Sequence, residues 1–177
     1  MGITVLEENY QQIKEEFPEL RAYLSDCAVR ASRIQIEMRA IFNSITPHLC
    51  TSCENKCCEG SPLEGWFSLE DYLLFRAKYD KPVSPPNRIT HPTACSFVTP
   101  HGCSLPEDLR PFTCVKINCS KVTEALKTRG EEEHLKQLIA VLDEIHRDVS
   151  STIKHHKVPF VTDRALGEKN TNLFNNW

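Results

Sequence analysis

The placement of cysteine constrains this chain more than any other feature. The sequence of 177 residues holds nine cysteines, and eight of them fall in two blocks between positions 50 and 119. Thiolates bind zinc and iron strongly, and a short spacing lets one loop present two sulfurs to the same ion. The clustering therefore predicts a metal-binding region in the middle of the chain.

All eight clustered cysteines are predicted metal ligands. The first block contains Cys50, Cys53, Cys57 and Cys58, and the second contains Cys95, Cys103, Cys114 and Cys119. Because the side chains of adjacent residues usually diverge, Cys57 and Cys58 do not easily reach one small tetrahedral ion together. Two centres of four cysteines each, or one centre with spare redox-active thiols, are both compatible with this pattern.

The spacings bear on the choice of metal. A zinc ribbon normally has two Cys-x-x-Cys knuckles, and only Cys50 and Cys53 form one here. The looser spacings are typical of the irregular loops that surround iron–sulfur clusters. We therefore expect an iron–sulfur cluster, with zinc as the alternative.

The N-terminal segment, the lack of a long apolar stretch and the net charge bear on the expected compartment and partners. The segment Met1–Glu8 lacks the basic start and apolar run of a signal peptide, and no stretch is apolar for long enough to span a membrane. A cytoplasmic location is therefore expected, where clustered cysteines more often bind metal than form disulfides. The net charge of −3 predicts binding neither to nucleic acid nor to a membrane surface. Metal ions are the expected partners, while a protein partner and the oligomeric state are not specified.

The rest of the sequence predicts a mainly α single domain over 1–177. Scaffold helices are expected at 18–45 and 130–158, because apolar residues recur there in steps of three or four. The first stripe is Leu20, Leu24, Cys27, Ala31, Ile34, Met38, Ile41 and Ile45, and the second is Leu135, Leu138, Leu142, Ile145, Val149 and Ile153. The two helices are predicted to pack antiparallel, with an earlier helical segment before Pro18 and a short helix from Ser68 to Lys78. The remainder of the cysteine-cluster region, 48–120, is predicted to be loop organised by metal.

The cysteine pattern resembles a known family. The order is Cys50-x-x-Cys53-x-x-x-Cys57-Cys58, then Cys95, Cys103, Arg110-Pro111-x-x-Cys114 and Cys119. It resembles that of the YkgJ-type cysteine-cluster proteins, described as a zinc- or iron-chelating domain with eight shared cysteines. The resemblance covers about residues 48 to 120 and includes Leu69-Glu70-Asp71 and Gly102-Cys103-Ser104-Leu105. It implies that all eight cysteines are ligands, and it does not imply a reaction.

Three further residues are singled out by their positions. Cys27 lies in the first helical stripe and is expected to be a buried thiol outside the metal site. His101 is a weaker candidate ligand. Arg110 is a candidate hydrogen-bond donor to a cysteine sulfur, with a surface salt bridge as the equal alternative.

The expected function is that of a metal-binding protein with a redox, electron-transfer or accessory role. A structural zinc-binding interaction module is the alternative. A metal-dependent enzyme comes third, because the sequence has no nucleotide-binding loop, no His-Glu-x-x-His and no nucleophile elbow.

Overall fold

The structure is a computed structural model that describes residues 2–45, 67–84, 97–99, 102–116 and 119–159. Helices make up most of this part of the chain: α1 (Ile3–Glu16), α2 (Pro18–Asn43), α3 (Leu69–Tyr79), α4 (Phe112–Lys116), α5 (Ser120–Arg129) and α6 (Glu132–His155). Two short strands, β1 (Val98–Thr99) and β2 (Gly102–Cys103), pair antiparallel. The fold is mainly α, as predicted. None of the described helices is long and apolar enough to cross a membrane.

The two long helices α2 and α6 correspond to the predicted scaffold. Every residue of the predicted α6 stripe is buried, and so is every residue of the first stripe except the partly exposed Ile34. Glu37 of α2 contacts His134 near the start of α6, whereas Tyr23 hydrogen-bonds Thr152 near its end. The two helices therefore run antiparallel, as predicted.

Helix α1 is separated from α2 by a single residue. Phe17 has φ −130° and ψ 68°, outside the helical region, because Pro18 disfavours an α conformation in the residue before it. Pro18 then occupies the first turn of α2, where its missing N–H is not needed. Leu6, Tyr10 and Ile13 of α1 are buried, which confirms the predicted helical segment before Pro18.

Helix α3 is short but lies inside the fold, in contact with α1, α2 and α6. Residues 71–76 are all buried, so this helix has no solvent-facing stripe in its first half. It begins with a capping box: Ser68 Oγ accepts from Asp71 N at 3.0 Å, and Asp71 Oδ2 accepts from Ser68 N at 3.2 Å. The predicted helix from Ser68 to Lys78 is therefore confirmed. Although it is short, it packs against three other helices.

The prediction of loop within 48–120 is wrong at α4, and α5 is a further helix that the sequence analysis did not predict. Helix α5 buries only Val122 and Leu126, and α4 has no fully buried residue, so neither carries a recognisable apolar stripe. Gly130, predicted to begin the second scaffold helix, instead ends α5 in the left-handed conformation with φ 71°. Glycine adopts this conformation without a steric penalty, which is why it commonly ends helices.

Candidate functional site

Three of the eight predicted ligands lie within the described residues. Cys103 ends β2, Cys114 is the middle residue of α4, and Cys119 immediately precedes α5. Cys103 and Cys114 are partly exposed, and Cys119 is exposed. None of these three takes part in a disulfide in the described structure. Their thiols lie outside the fully buried core, where a metal ion could reach them.

The other predicted ligands lie outside the described residues. These are Cys50, Cys53, Cys57, Cys58 and Cys95, and the weaker candidate His101 lies outside them as well. Within the described ranges, no group of three or more His, Cys, Asp and Glu side chains is arranged to hold a metal ion. The assignment of the eight ligands therefore stays a prediction.

Cys103 is connected to the core through a small hairpin. Val98 pairs with Cys103, and the N–H of Ser104 donates to the carbonyl of Phe97 at 2.7 Å. The buried ring of Phe97 meets the ring of Phe67 at 6.0 Å in an edge-to-face arrangement. Phe67 in turn contacts aromatic rings of α3, so the strand that carries Cys103 is held against that helix.

The backbone between Cys103 and Cys114 is fixed to α2 by Gln35. The side-chain amide of Gln35 donates to the carbonyl of Arg110 at 2.8 Å and accepts from the N–H of Arg110 at 2.7 Å. Gln35 is buried, and this pairing satisfies its polar atoms much as a neighbouring β-strand would. The chain is thereby held in place four residues before Cys114.

Asp108 provides a second attachment of the same segment. Its carboxylate accepts hydrogen bonds from Lys78 and Tyr79, at the end of α3, and from Ser32 of α2. Burial opposes ionisation of Asp108, but the bonds from Lys78 and Tyr79 outweigh it and hold the pKa of the carboxyl below its usual value. Asp108 is therefore an anionic link between α2, α3 and the segment that leads to Cys114.

The helix that carries Cys114 is attached to the scaffold at its first residue. The N–H of Phe112 donates to Asp71 Oδ1 at 2.8 Å, and the same oxygen lies 2.8 Å from Nε2 of His146 on α6. The ring of Phe112 stacks on the imidazole of His146, with centroids 4.9 Å apart and planes 22° apart. Asp71 and His146 thus hold α4 by its backbone and by its first side chain.

The imidazole of His146 faces a hydrogen-bond acceptor at each nitrogen. Nδ1 lies 2.8 Å from the carbonyl oxygen of Leu142, and Nε2 faces the Asp71 carboxylate. Only the doubly protonated ring donates at both positions. Burial alone would lower the pKa of His146, but the bond to Asp71 outweighs it and raises the pKa above its ordinary value. With both nitrogens occupied, His146 is neither a general base nor a metal ligand in this arrangement.

Arg110 combines a fixed backbone with an unpaired side-chain donor. Its Nε is buried and has no hydrogen-bond partner in the described structure. A buried N–H normally has a partner, because leaving it unpaired costs about 1–3 kcal/mol. The candidate bond from Arg110 to a cysteine sulfur stays a prediction, and this unpaired N–H is compatible with it.

Cys27 contrasts with the three described candidate ligands. It is fully buried among the apolar residues of α2, and burial raises the pKa of its thiol. A buried thiol of this kind packs as a small apolar group and is chemically inert. The prediction that Cys27 lies in the core is confirmed.

The sequence analysis missed the residues that hold the cysteine-bearing segments. Gln35 lies four residues after Ala31 and three before Met38, so it shares the buried face of α2. His146 lies four residues after Leu142 and next to Ile145, at the edge of the buried stripe of α6. A polar residue at an apolar position of a helix was the available signal for both.

Comparison of this chain with protein-family models, with curated proteins and with solved structures finds no match. The resemblance to the cysteine-cluster family therefore rests on the sequence motifs alone.

Proposed function

We propose that this chain is a metal-binding protein whose eight clustered cysteines hold iron–sulfur, as two four-cysteine centres or as one centre with spare thiols, with a redox, electron-transfer or accessory role. The observation that carries this proposal is the contrast among the four described cysteines. Cys27 is fully buried in the scaffold, whereas Cys103, Cys114 and Cys119 are at least partly exposed. The latter three lie on segments outside the two long helices, where a cluster can be bound without disturbing the core.

The attachment of these segments supports the proposal. The chain between Cys103 and Cys114 is held at three separate points. Gln35 pairs with Arg110, Tyr79 donates to Asp108, and Asp71 accepts from the N–H of Phe112. Ligands that are held in place before the metal arrives lose less conformational entropy when it binds. Such a site suits a reducing compartment such as the cytoplasm, where thiols are not consumed by disulfides.

Visible absorption and metal analysis of protein purified without oxygen test the proposal directly. An iron–sulfur cluster gives broad visible bands that bleach on reduction, together with stoichiometric iron and sulfide. A colourless protein with stoichiometric zinc would replace the redox role by a structural one, as an interaction module. A protein that contains neither metal would overturn the proposal.

A pair of cysteine variants tests the ligand assignment. Cys114→Ser is expected to lower the metal content, because a serine hydroxyl is a poor replacement for a thiolate. Cys27→Ala is the matched control and should retain the wild-type metal content, since the buried thiol of Cys27 lies in the core. Equal metal loss in both variants would contradict the assignment of Cys114.

A further inference from the structure

We propose that Asp71 and His146 are positioning residues for Cys114: together they fix the short helix α4 so that its thiol is presented at a defined place. This inference rests on the proposed metal-binding function, because only a ligand role gives a reason to fix Cys114. It adds to that function two residues that are not themselves ligands.

The first step of the argument is that α4 cannot be stable alone. It has five residues and no fully buried side chain. Isolated helices of this length do not persist in water, because nucleation costs more than one turn of hydrogen bonds returns. The described contacts that attach α4 to the scaffold include the bond from Phe112 N to Asp71, the stacking of Phe112 on His146, and the packing of Val115 against the core.

The second step is that Asp71 is rigid. Its carboxylate accepts from Ser68 N and from Phe112 N, and its own N–H donates to Ser68 Oγ. The side chain is 4% exposed, and that of His146 is 11% exposed. A buried carboxylate with this many donors is confined to one orientation, and the position of Phe112 N is confined with it.

The third step concerns the chain topology. Asp71 lies in the first turn of α3, thirteen residues after Cys58 of the first cysteine block. The bond to Phe112 lies two residues before Cys114 of the second block. The Asp71 carboxylate therefore joins α3, which follows the first cysteine block, to the start of α4. His146 connects this carboxylate to the scaffold helix α6.

The positioning role predicts a local effect when His146 is replaced. His146→Leu removes both donors and leaves the Asp71 carboxylate without its cationic partner, whereas His146→Gln keeps one N–H donor. His134→Leu is the matched control, because His134 is an exposed histidine on the same helix. The full-length protein is purified without oxygen, and the alkylation of each cysteine by iodoacetamide is followed by mass spectrometry.

Alkylation of Cys114 should be several-fold faster in His146→Leu than in wild type, with an intermediate rate in His146→Gln and the wild-type rate in the control. Cys27 reports on global unfolding, because it reacts only when the core opens. Faster reaction of Cys114 with Cys27 still protected supports the proposal, and an unchanged rate at Cys114 overturns it. If Cys27 also reacts in His146→Leu, the core of that variant has opened, and the milder His146→Gln is then examined for faster alkylation of Cys114 with Cys27 still protected. If Cys27 reacts in both variants, the proposal is overturned, because His146 then has a general role in stability.

Metal release provides the second readout. Loss of a residue that orients a ligand typically costs about 10- to 100-fold in metal affinity. Competition of the protein with a chromogenic chelator for Zn²⁺ should show a loss of this size in His146→Leu and none in His134→Leu. A wild-type protein that binds no metal would refute the proposed function. The alkylation of Cys114 would still test its positioning by Asp71 and His146. Failure of the function and failure of the positioning role are therefore distinguishable.

Discussion

Gln35 occupies a position at which a helix that faces a protein core normally carries an apolar side chain. It lies on the same face of α2 as Ala31 and Met38, and it is buried. The burial is tolerated because both its donor and its acceptor are paired with the backbone of Arg110. Gln35 thus gives the segment before Cys114 an attachment that no apolar side chain could replace, because none offers the same pair of hydrogen bonds.

Replacement of Gln35 by leucine tests this interpretation. The substitution keeps a helix-forming residue of similar size but leaves the N–H and carbonyl of Arg110 without partners. We expect a loss of about 2 kcal/mol in the free energy of unfolding, measured by urea denaturation. Gln137→Leu, at an exposed position of α6, is the control and should change it by less than about 0.5 kcal/mol. Equal losses in the two variants would show that the pairing with Arg110 contributes nothing specific.

At the scale of elements, α3 is the helix that aligns the cysteine-bearing segments with the scaffold. Its first turn binds α4 and α6 through Asp71, and its last turn binds Asp108 through Lys78 and Tyr79. Its last turn is also paired with α1: Arg76 Nε lies 2.9 Å from Glu7 Oε2, and the guanidinium lies 4.5 Å from the centroid of the Tyr10 ring. These polar contacts surround an otherwise apolar helix and set its orientation.

The ion pair between His146 and Asp71 predicts a pH dependence of stability. Burial lowers the pKa of His146, but the bond to Asp71 and the nearby negative charge of Glu70 raise it above its ordinary value. A group whose pKa is raised in the folded state stabilises the fold fully below its unfolded-state pKa, about 6.5. That contribution is lost as the pH rises through the folded-state pKa.

Wild type and His146→Gln should therefore differ most in the free energy of unfolding at about pH 5 and progressively less towards about pH 9. Urea denaturation across this range measures the difference, in which the titration of groups that do not interact with residue 146 cancels. His134→Gln, whose contact with Glu37 is solvent-exposed, should show only a small difference from wild type throughout. A difference between wild type and His146→Gln that grows with pH would contradict the protonated form of His146.

At the scale of the molecule, the sequence was informative where apolar periodicity was strong. The stripes of α2 and α6, the break at Pro18 and the cap at Ser68 were all sufficient to predict helices, because each feature acts locally. Helices α4 and α5 were missed because their order depends on tertiary contacts more than on a stripe of their own. The contacts of Asp71 and His146 join residues 75 positions apart, and no local pattern specifies such a pairing.

The distribution of the core predicts how the whole molecule responds to loss of metal. The buried apolar residues of α1, α2, α3 and α6 form one cluster, and none of the three predicted ligands within the described residues is among its fully buried members. A small zinc finger unfolds without its metal because the metal replaces a core, but this chain has a core of its own.

Treatment of the purified protein with EDTA and a thiol reductant should therefore leave most of the far-ultraviolet circular dichroism of the helices. Amide hydrogen exchange should become faster in α4 than in α2 and α6, because α4 has only five residues and none of them is fully buried. A collapse of the helical signal in parallel with metal loss would instead mean that the metal is required to assemble the scaffold itself.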